Sequence, residues 1–353
     1  MNPSRNTKNL LWWGRFDPDY SRNGIIRNIL KNSGYTLTDF RPAVSALGNL
    51  EFHFTKTKRP DAVWVPAFRQ RDFHAARRYA DRENLPIIFD PLISAWDKAV
   101  YERQKFLQDD RRAKNLLEKE QSMFSRADLL LADTPPHAGF FIETLSASPK
   151  TVHVVPVGAE EKLFPEQPHG NVQQVEVLFY GSFISLQGPE VITEAARLVP
   201  EVQWTMLGNG PLFETCRNRG RDTGNLRFEQ WLPYDALAPR IGRASLLLGI
   251  FGTSLKAARV IPNKVYQTLA CGRPVITRYS EAYPEELMNS PDCGITFIPP
   301  GDPEALAEAV RMSTLSQVPL AQRCHRARTT YERYFSEQSV KQALISALSS
   351  LGL

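Results

Sequence analysis

No apolar run in these 353 residues approaches the roughly 20 needed to cross a bilayer as a helix, which excludes a chain that spans a membrane by that route. Residues 1–14, MNPSRNTKNLLWWG, lack the long apolar segment of a secretory leader. Cysteine is scarce. Cys216, Cys271, Cys293 and Cys324 are the four, and none forms a C-x-x-C pair. They read as buried thiols of a reducing compartment, so the expected location is cytoplasmic. The six histidines (His53, His74, His137, His153, His169 and His325) have no metal-ligand spacing, and no metal is expected. No lysine- or arginine-rich run points to nucleic acid. No G-x-G-x-x-G follows the first strand pattern, since WWGRFD does not supply it, which argues against a nicotinamide-dependent enzyme. No Ser-His-Asp order is recognisable.

What is present is a soluble globular composition: 42% apolar and 23% charged, with 43 basic against 38 acidic residues. The resulting charge of +5 fits an anionic small molecule, or loose contact with an acidic membrane surface at the inner face. An ordinary solvated surface is the plainer alternative. The length suits two domains. Short apolar runs alternate with helical patterns. Strands are predicted at 9–14, 35–40, 61–66, 86–90, 128–133 and 152–158, then at 175–182, 202–208, 226–232, 244–251, 273–277 and 294–300. A first helix is predicted over 22–33, with Ser21 as its cap, Ile25, Ile26, Ile29 and Leu30 on one face and Gly34 as its stop. A long charged helix is predicted over 98–125, and the chain is expected to end in helices at 303–313, 319–334 and 339–351. The alternation predicts an α/β protein of two doubly wound, Rossmann-like domains with a cleft between them. The domains are expected at 1–163 and 175–335, joined by a polar linker over 164–174, FPEQPHGNVQQ.

Chemistry is expected at the loops beyond the carboxyl ends of the strands. GSFISLQGPE (181–190) and LGNGP (207–211) are glycine turns whose backbone N–H groups suit a phosphate. GTSLKAARVIPNK (252–264) gathers Lys256, Arg259 and Lys264 ahead of a short helix over 262–271, with Pro262 first and Gly272 as the stop. On that helix Lys264, Gln267, Thr268 and Cys271 share a face, and Val265, Leu269 and Ala270 share another. The functional reading is an anion site; the bland one is a solvated basic loop. For Gln267 the bland reading is a good helix former on a polar face.

Taken in order, FYGSFISLQGPEVITEAARLV, MLGNGP, IPNKVYQTLACGRPVI and GITFIPPGDPEALAEAV, over about 175–313, resemble the donor domain of GT-B glycosyltransferases. The likeness is to the large retaining group that includes sucrose synthases and bacterial mannosyltransferases (family 4). The first half resembles that family only in plan. The resemblance implies a fold in which 336–353 packs back on the first domain. It implies transfer of a sugar from a nucleoside-diphosphate sugar (UDP or GDP) to an acceptor hydroxyl, with retention and without metal, in glycan assembly. The nucleotide sugar is then a cosubstrate, and no covalent cofactor is implied. Gly181, Ser182, Lys256, Arg259 and Lys264 would grip the diphosphate, with Arg259 and Lys264 the catalytic cations. Gly208, Gly210, Trp231, Leu232 and Gln267 would hold the nucleoside. Arg15, Asp17, Asp19, Arg69, Arg71, Asp72, Asp90, Ser94 and Asp97 are the acceptor-site candidates. The chain departs from the family pattern at four positions. Ser182 and Gln187 stand where an Arg and a Lys are usual, and Arg259 and Gln267 stand where two carboxylates are usual. Those losses motivate a rival reading, an inactive relative that binds a partner or glycan. A nucleotide-sugar epimerase shares the two-domain plan.

Overall fold

The computed structural model describes residues 7–55, 57–103, 105–168, 175–290 and 292–353. The chain forms two compact units, residues 1–157 with 340–353, and residues 158–339. In the first, β1 (Asn9–Trp13), β2 (Thr36–Phe40), β3 (Ala62–Val65), β4 (Ile87–Phe89), β5 (Leu129–Ala132) and β6 (Val152–Val154) form one sheet in the order β2-β1-β3-β4-β5-β6. Every pairing is parallel. The inner strands are apolar along their whole length because helices cover both faces. Period-2 alternation divides their side chains. Leu11, Trp13, Val63 and Val65 enter one core with Phe73 and Phe89, while Leu10, Trp12 and Trp64 enter the other with Ile26 and Leu30. Trp12 lies flat on Trp64, with centroids 5.2 Å apart. The second core is completed by Val340, Leu344, Ala347 and Leu348, from the helix Glu337–Ser349 at the other end of the chain.

The second unit repeats the plan. β7 (Glu176–Ser182), β8 (Gln203–Asn209), β9 (Leu226–Glu229), β10 (Leu246–Leu248), β11 (Val275–Arg278) and β12 (Ile295–Ile298) form a parallel sheet in the order β12-β11-β10-β7-β8-β9. At its carboxyl edge β7 and β8 approach so closely that a Cβ on Gly208 would lie 2.0 Å from the Gly181 carbonyl oxygen. With φ at +135°, Gly208 is a position only glycine fills.

All twelve predicted strands are present. Four expectations need correction. Ser21 is the first residue of its helix, Ser21–Asn32, and Tyr20 stands at the cap. Pro262 likewise caps the helix Asn263–Ala270 from outside, whereas Gly272, at φ +67°, ends it as expected. The single long helix over 98–125 does not form. A short turn, Ala95–Asp97, capped by Ser94, runs into a π-turn, Lys98–Glu102. The helix then restarts at Arg111 and runs to Phe124, with Asp110 accepting from the Arg112 N–H. Glu120 reaches back from this second helix to the Ser94 hydroxyl and to the N–H groups of Ala95 and Trp96, so the two pieces fold against each other. The linker is also displaced. The division between units falls at Val157 and Gly158, and Phe164 is buried in the second unit. At the linker's start the backbone is held, because Arg273 takes the carbonyls of Gln167 and Pro168. Residues 169–174 lie outside those described.

Candidate active site

Lys264 belongs to the first turn of the helix Asn263–Ala270, which is buried on every side rather than along one stripe. Its side chain, 5% exposed, extends beneath the carboxyl end of β7. Nζ donates to Gln187 Oε1 at 2.6 Å and stands 3.7 Å from the centroid of the Phe179 ring. A Cβ on Gly181 would meet Nζ at 2.8 Å and Gln187 Oε1 at 2.5 Å, so glycine opens the space that both occupy. Burial alone drives the Lys264 ammonium well below the ordinary lysine range. Lys256 is itself buried, on the short helix Leu255–Arg259, and Arg259 is half-buried. An anion reaching Nζ would supply the charge this ammonium lacks.

One turn further along, Gln267 is 4% exposed, so it does not lie on a solvated face. Its Oε1 is 3.1 Å from the Tyr180 hydroxyl, which also sits 3.0 Å from the Lys264 carbonyl oxygen. Its Nε2 donates to the Tyr234 hydroxyl at 2.8 Å, and that hydroxyl meets Glu160 Oε1 at 3.0 Å. Burial first of all keeps the Tyr180 phenol protonated, far above its usual range. The chain Tyr180–Gln267–Tyr234–Glu160 requires a side chain that accepts at one end and donates at the other. An amide does this and a carboxylate does not. Tyr180, Tyr234 and Glu160 were absent from the sequence reading, since a tyrosine in a strand and another in a loop carry no motif. The second oxygen of Glu160 is buried without a hydrogen-bond partner among the described residues.

The glycine turn after β7 is less open than expected. The N–H groups of Phe183, Ile184, Gln187 and Gly188 are taken by the carbonyls of Asn209, Ser182, Ile184 and Ser185. The Gly210 N–H is taken by Asn209 Oδ1. These five backbone donors therefore serve the loop itself, and Lys264 is the buried amine at this edge. Ser182 ends β7 and is half-buried. Beyond β9, Trp231 and Tyr234 are exposed, and Leu232 lies between them, half-buried.

In the first unit the acceptor candidates divide. Arg15, Asp17, Asp19 and Arg71 are exposed at the carboxyl ends of β1 and β3. Asp17 Oδ1 accepts the Asp19 N–H, so D-P-D closes a local turn. Among the described residues no three His, Cys, Asp or Glu side chains form a group able to hold a metal. Asp72, Asp90, Ser94 and Asp97 are buried, because the protein itself uses these polar groups. Arg69 donates to Asp72 Oδ2 at 2.6 Å. Arg22 Nε donates to Asp90 Oδ2 at 3.0 Å, and its Nη1 donates to the carbonyls of Val155 and Pro156. Ser94 caps a turn and binds Glu120. The structure also pairs His137 Nδ1 with Asp133 Oδ1 at 2.5 Å, buried at the end of β5. Their i, i+4 spacing was the available signal.

Residues 174–313 match the family described as Glycosyl transferases group 1. No curated protein sequence matches the chain. Among solved structures, sucrose-phosphate synthase from Thermosynechococcus elongatus superposes with a TM-score of 0.77 at 14% identity, over 98% of this chain and 99% of that one. Anabaena HepE in complex with UDP gives 0.70 at 13%, over 98% and 100%. Apo WaaB, a lipopolysaccharide outer core galactosyltransferase, gives 0.67 at 15%, over 97% and 99%. At these identities the likeness establishes the fold, which is GT-B.

Proposed function

We propose that this GT-B protein, whose residues 174–313 carry the group 1 glycosyl transferase match, transfers a sugar from a UDP-sugar to a glycan hydroxyl. The observation that carries the reading is Lys264, a buried amine with no carboxylate partner among the described residues, at the strand edge where doubly wound sheets bind ligands. In the transfer the anomeric C–O bond of the donor breaks, and the electron pair leaves with the diphosphate. The acceptor oxygen bonds to that carbon from the face the diphosphate vacates, and the acceptor proton passes to the departing phosphate oxygen. Lys264 stabilises the charge that develops on the leaving group, with Arg259, Lys256, Gly181 and Ser182 as further contacts. No metal is required if the lysine does this work. UDP is preferred to GDP because HepE, a structural neighbour, was solved with UDP and with UDP-glucose.

For the nucleoside, Trp231 offers an exposed ring to the base beside Leu232, Gly208 and Gly210. Tyr234 and Glu160 take the ribose hydroxyls, and Gln267 acts through them by holding Tyr234. Arg15, Asp17, Arg69 and Arg71 face the acceptor. Calorimetric titration with UDP and GDP tests the core of this reading: UDP binds, and a failure of both at millimolar concentration refutes it. Retention is read from the anomeric configuration of the product by NMR, and metal independence from activity that survives EDTA.

Gln267→Glu should lower donor affinity rather than restore a lost carboxylate. It removes the donor to Tyr234 and sets a second negative charge one hydroxyl away from Glu160, at a cost of roughly 1–3 kcal/mol. Adding Glu160→Gln should recover most of the loss. A single mutant as good as the wild type, measured by UDP-sugar affinity, would remove the tyrosine bridge from the site. The second reading, a relative that binds nucleotide without transferring sugar, is favoured by one feature, Arg259 and Gln267 in place of the usual carboxylates. Binding of UDP with no hydrolysis or transfer across a donor panel would select it.

A further inference from the structure

Between β2 and β3 the chain makes a 3-10 turn, Ser45–Leu47, and a short helix, Gly48–His53. The inner side of this segment is well packed. Phe52 meets the rings of Trp13, Phe40 and Tyr79 with centroids 5.4, 4.9 and 4.6 Å away. Gly48 lies against Trp13, where a Cβ would be 3.1 Å from the indole. The outer side is apolar as well. Val44, Leu47, Leu50 and Phe54, spaced three, three and four residues apart, all face solvent, with Leu50 56% and Phe54 85% exposed. Folding gains nothing from leaving four large apolar side chains of one short segment in water.

Basic side chains predominate around this segment, and the nearby Glu83 is paired with Arg82. Arg41, Lys58 and Arg59 flank it and are exposed. Arg78, from the helix Phe73–Glu83, donates to the Ala46 carbonyl at 2.8 Å and stands beside the apolar row. The only carboxylate between residues 41 and 59 is Glu51. Both its oxygens accept backbone N–H groups, those of Ala43 and Val44 at 2.7 and 2.9 Å, so it shapes the loop rather than opposing the cations.

We propose that this face docks on an anionic phospholipid bilayer, with Val44, Leu47, Leu50 and Phe54 entering the headgroup–acyl boundary and the arginines and Lys58 resting among the lipid phosphates. Apolar tips ringed by cations complement such a surface in both hydrophobicity and charge. A side chain as exposed as Phe54 projects from the surface instead of lining a groove for a peptide. The inference does not depend on sugar transfer, and its test needs no turnover.

The full chain should float with vesicles of phosphatidylcholine containing phosphatidylglycerol, and this association should weaken as salt is raised. Vesicles of phosphatidylcholine alone should retain little. Leu50→Glu with Phe54→Glu should reduce binding to the anionic vesicles roughly tenfold or more, with unchanged Tm and UDP affinity, since both side chains are exposed. Lys58→Glu with Arg59→Glu should reduce it at low salt and have little further effect at high salt. Three results would overturn the proposal: no flotation with anionic vesicles, equal flotation of the wild type and the Leu50/Phe54 variant, or concentration-dependent self-association of the wild type that the variant abolishes while vesicle binding persists. The last would assign the face to a second copy of the chain.

Discussion

Lys264→Met is expected to weaken nucleotide binding and at the same time raise the stability of the unliganded protein. In the wild type the Lys264 amine is 5% exposed, has Gln187 Oε1 as its hydrogen-bond partner and lies on the Phe179 ring. Burying a partly satisfied polar group costs about 1–3 kcal/mol, and the unbranched thioether of methionine fits the same channel without that cost. The lost charge-assisted contact to a diphosphate is worth about 1.5–3 kcal/mol, or roughly 10–150-fold in affinity. The pH dependence follows from the same burial. The folded-state pKa of Lys264 lies well below its unfolded value, so between the two the unfolded chain holds more protons. The contribution of Lys264 to stability therefore rises with pH across that window and is lost below the folded value. Binding a diphosphate restores the charged form, so above the folded value UDP should bind with proton uptake and more weakly as pH climbs. Calorimetry in buffers of different ionisation enthalpy reads this directly. A buffer-independent enthalpy, with an undiminished UDP affinity in the methionine variant, would take Lys264 out of the donor site.

The second large effect concerns folding alone. Arg273, 2% exposed, precedes β11 and has carbonyl oxygens as its partners. Nη1 reaches those of Gln167, Cys271 and Gly272 at 3.2–3.4 Å, and Nη2 reaches those of Pro168 and Gly242 at 2.7 and 2.6 Å. Gly242 lies in the last turn of the helix Leu237–Arg243, and Cys271 caps the helix Asn263–Ala270. One guanidinium thus satisfies the orphan carbonyls of two helix ends and fixes the segment that precedes β7. Arg273→Met should destabilise the protein by about 3–5 kcal/mol, since several buried acceptors lose their donor together. Arg273→Lys keeps the charge but not the planar fork, and should recover less than half of the loss. Chemical denaturation measures both. A methionine variant within about 1 kcal/mol of the wild type would mean that water replaces the guanidinium.

The inner strands were legible in the sequence because most of their length is a short apolar run buried on both faces, a pattern that survives in any parallel sheet. Gly272 was legible as a helix stop for a similarly local reason, a backbone turn that only glycine makes easily. The site was less legible. Lys264 and Gln267 could be placed on one helix, but the partners that define them, Gln187, Tyr180, Tyr234 and Glu160, come from segments 33 to 107 residues away. Spacing carries no information about such meetings. The burial of Asp72, Asp90, Ser94 and Asp97 was not legible because loops at strand ends were expected to be open. In this chain Arg69, Arg22 and Glu120 fold those polar groups inward. The broken helix near residue 103 was missed because a continuous charged pattern hides an internal cap, here Asp110.

The helix that supplies Val340, Leu344, Ala347 and Leu348 to the core beside Trp12 and Ile26 has a temporal consequence. During synthesis the second unit has its whole sequence in hand before the first does, although the first begins to emerge much earlier. A nascent chain arrested before residue 340 would carry an N-terminal sheet with one face covered only in part, by the helix Ser21–Asn32, which is the stage at which chaperone engagement on the ribosome would matter most.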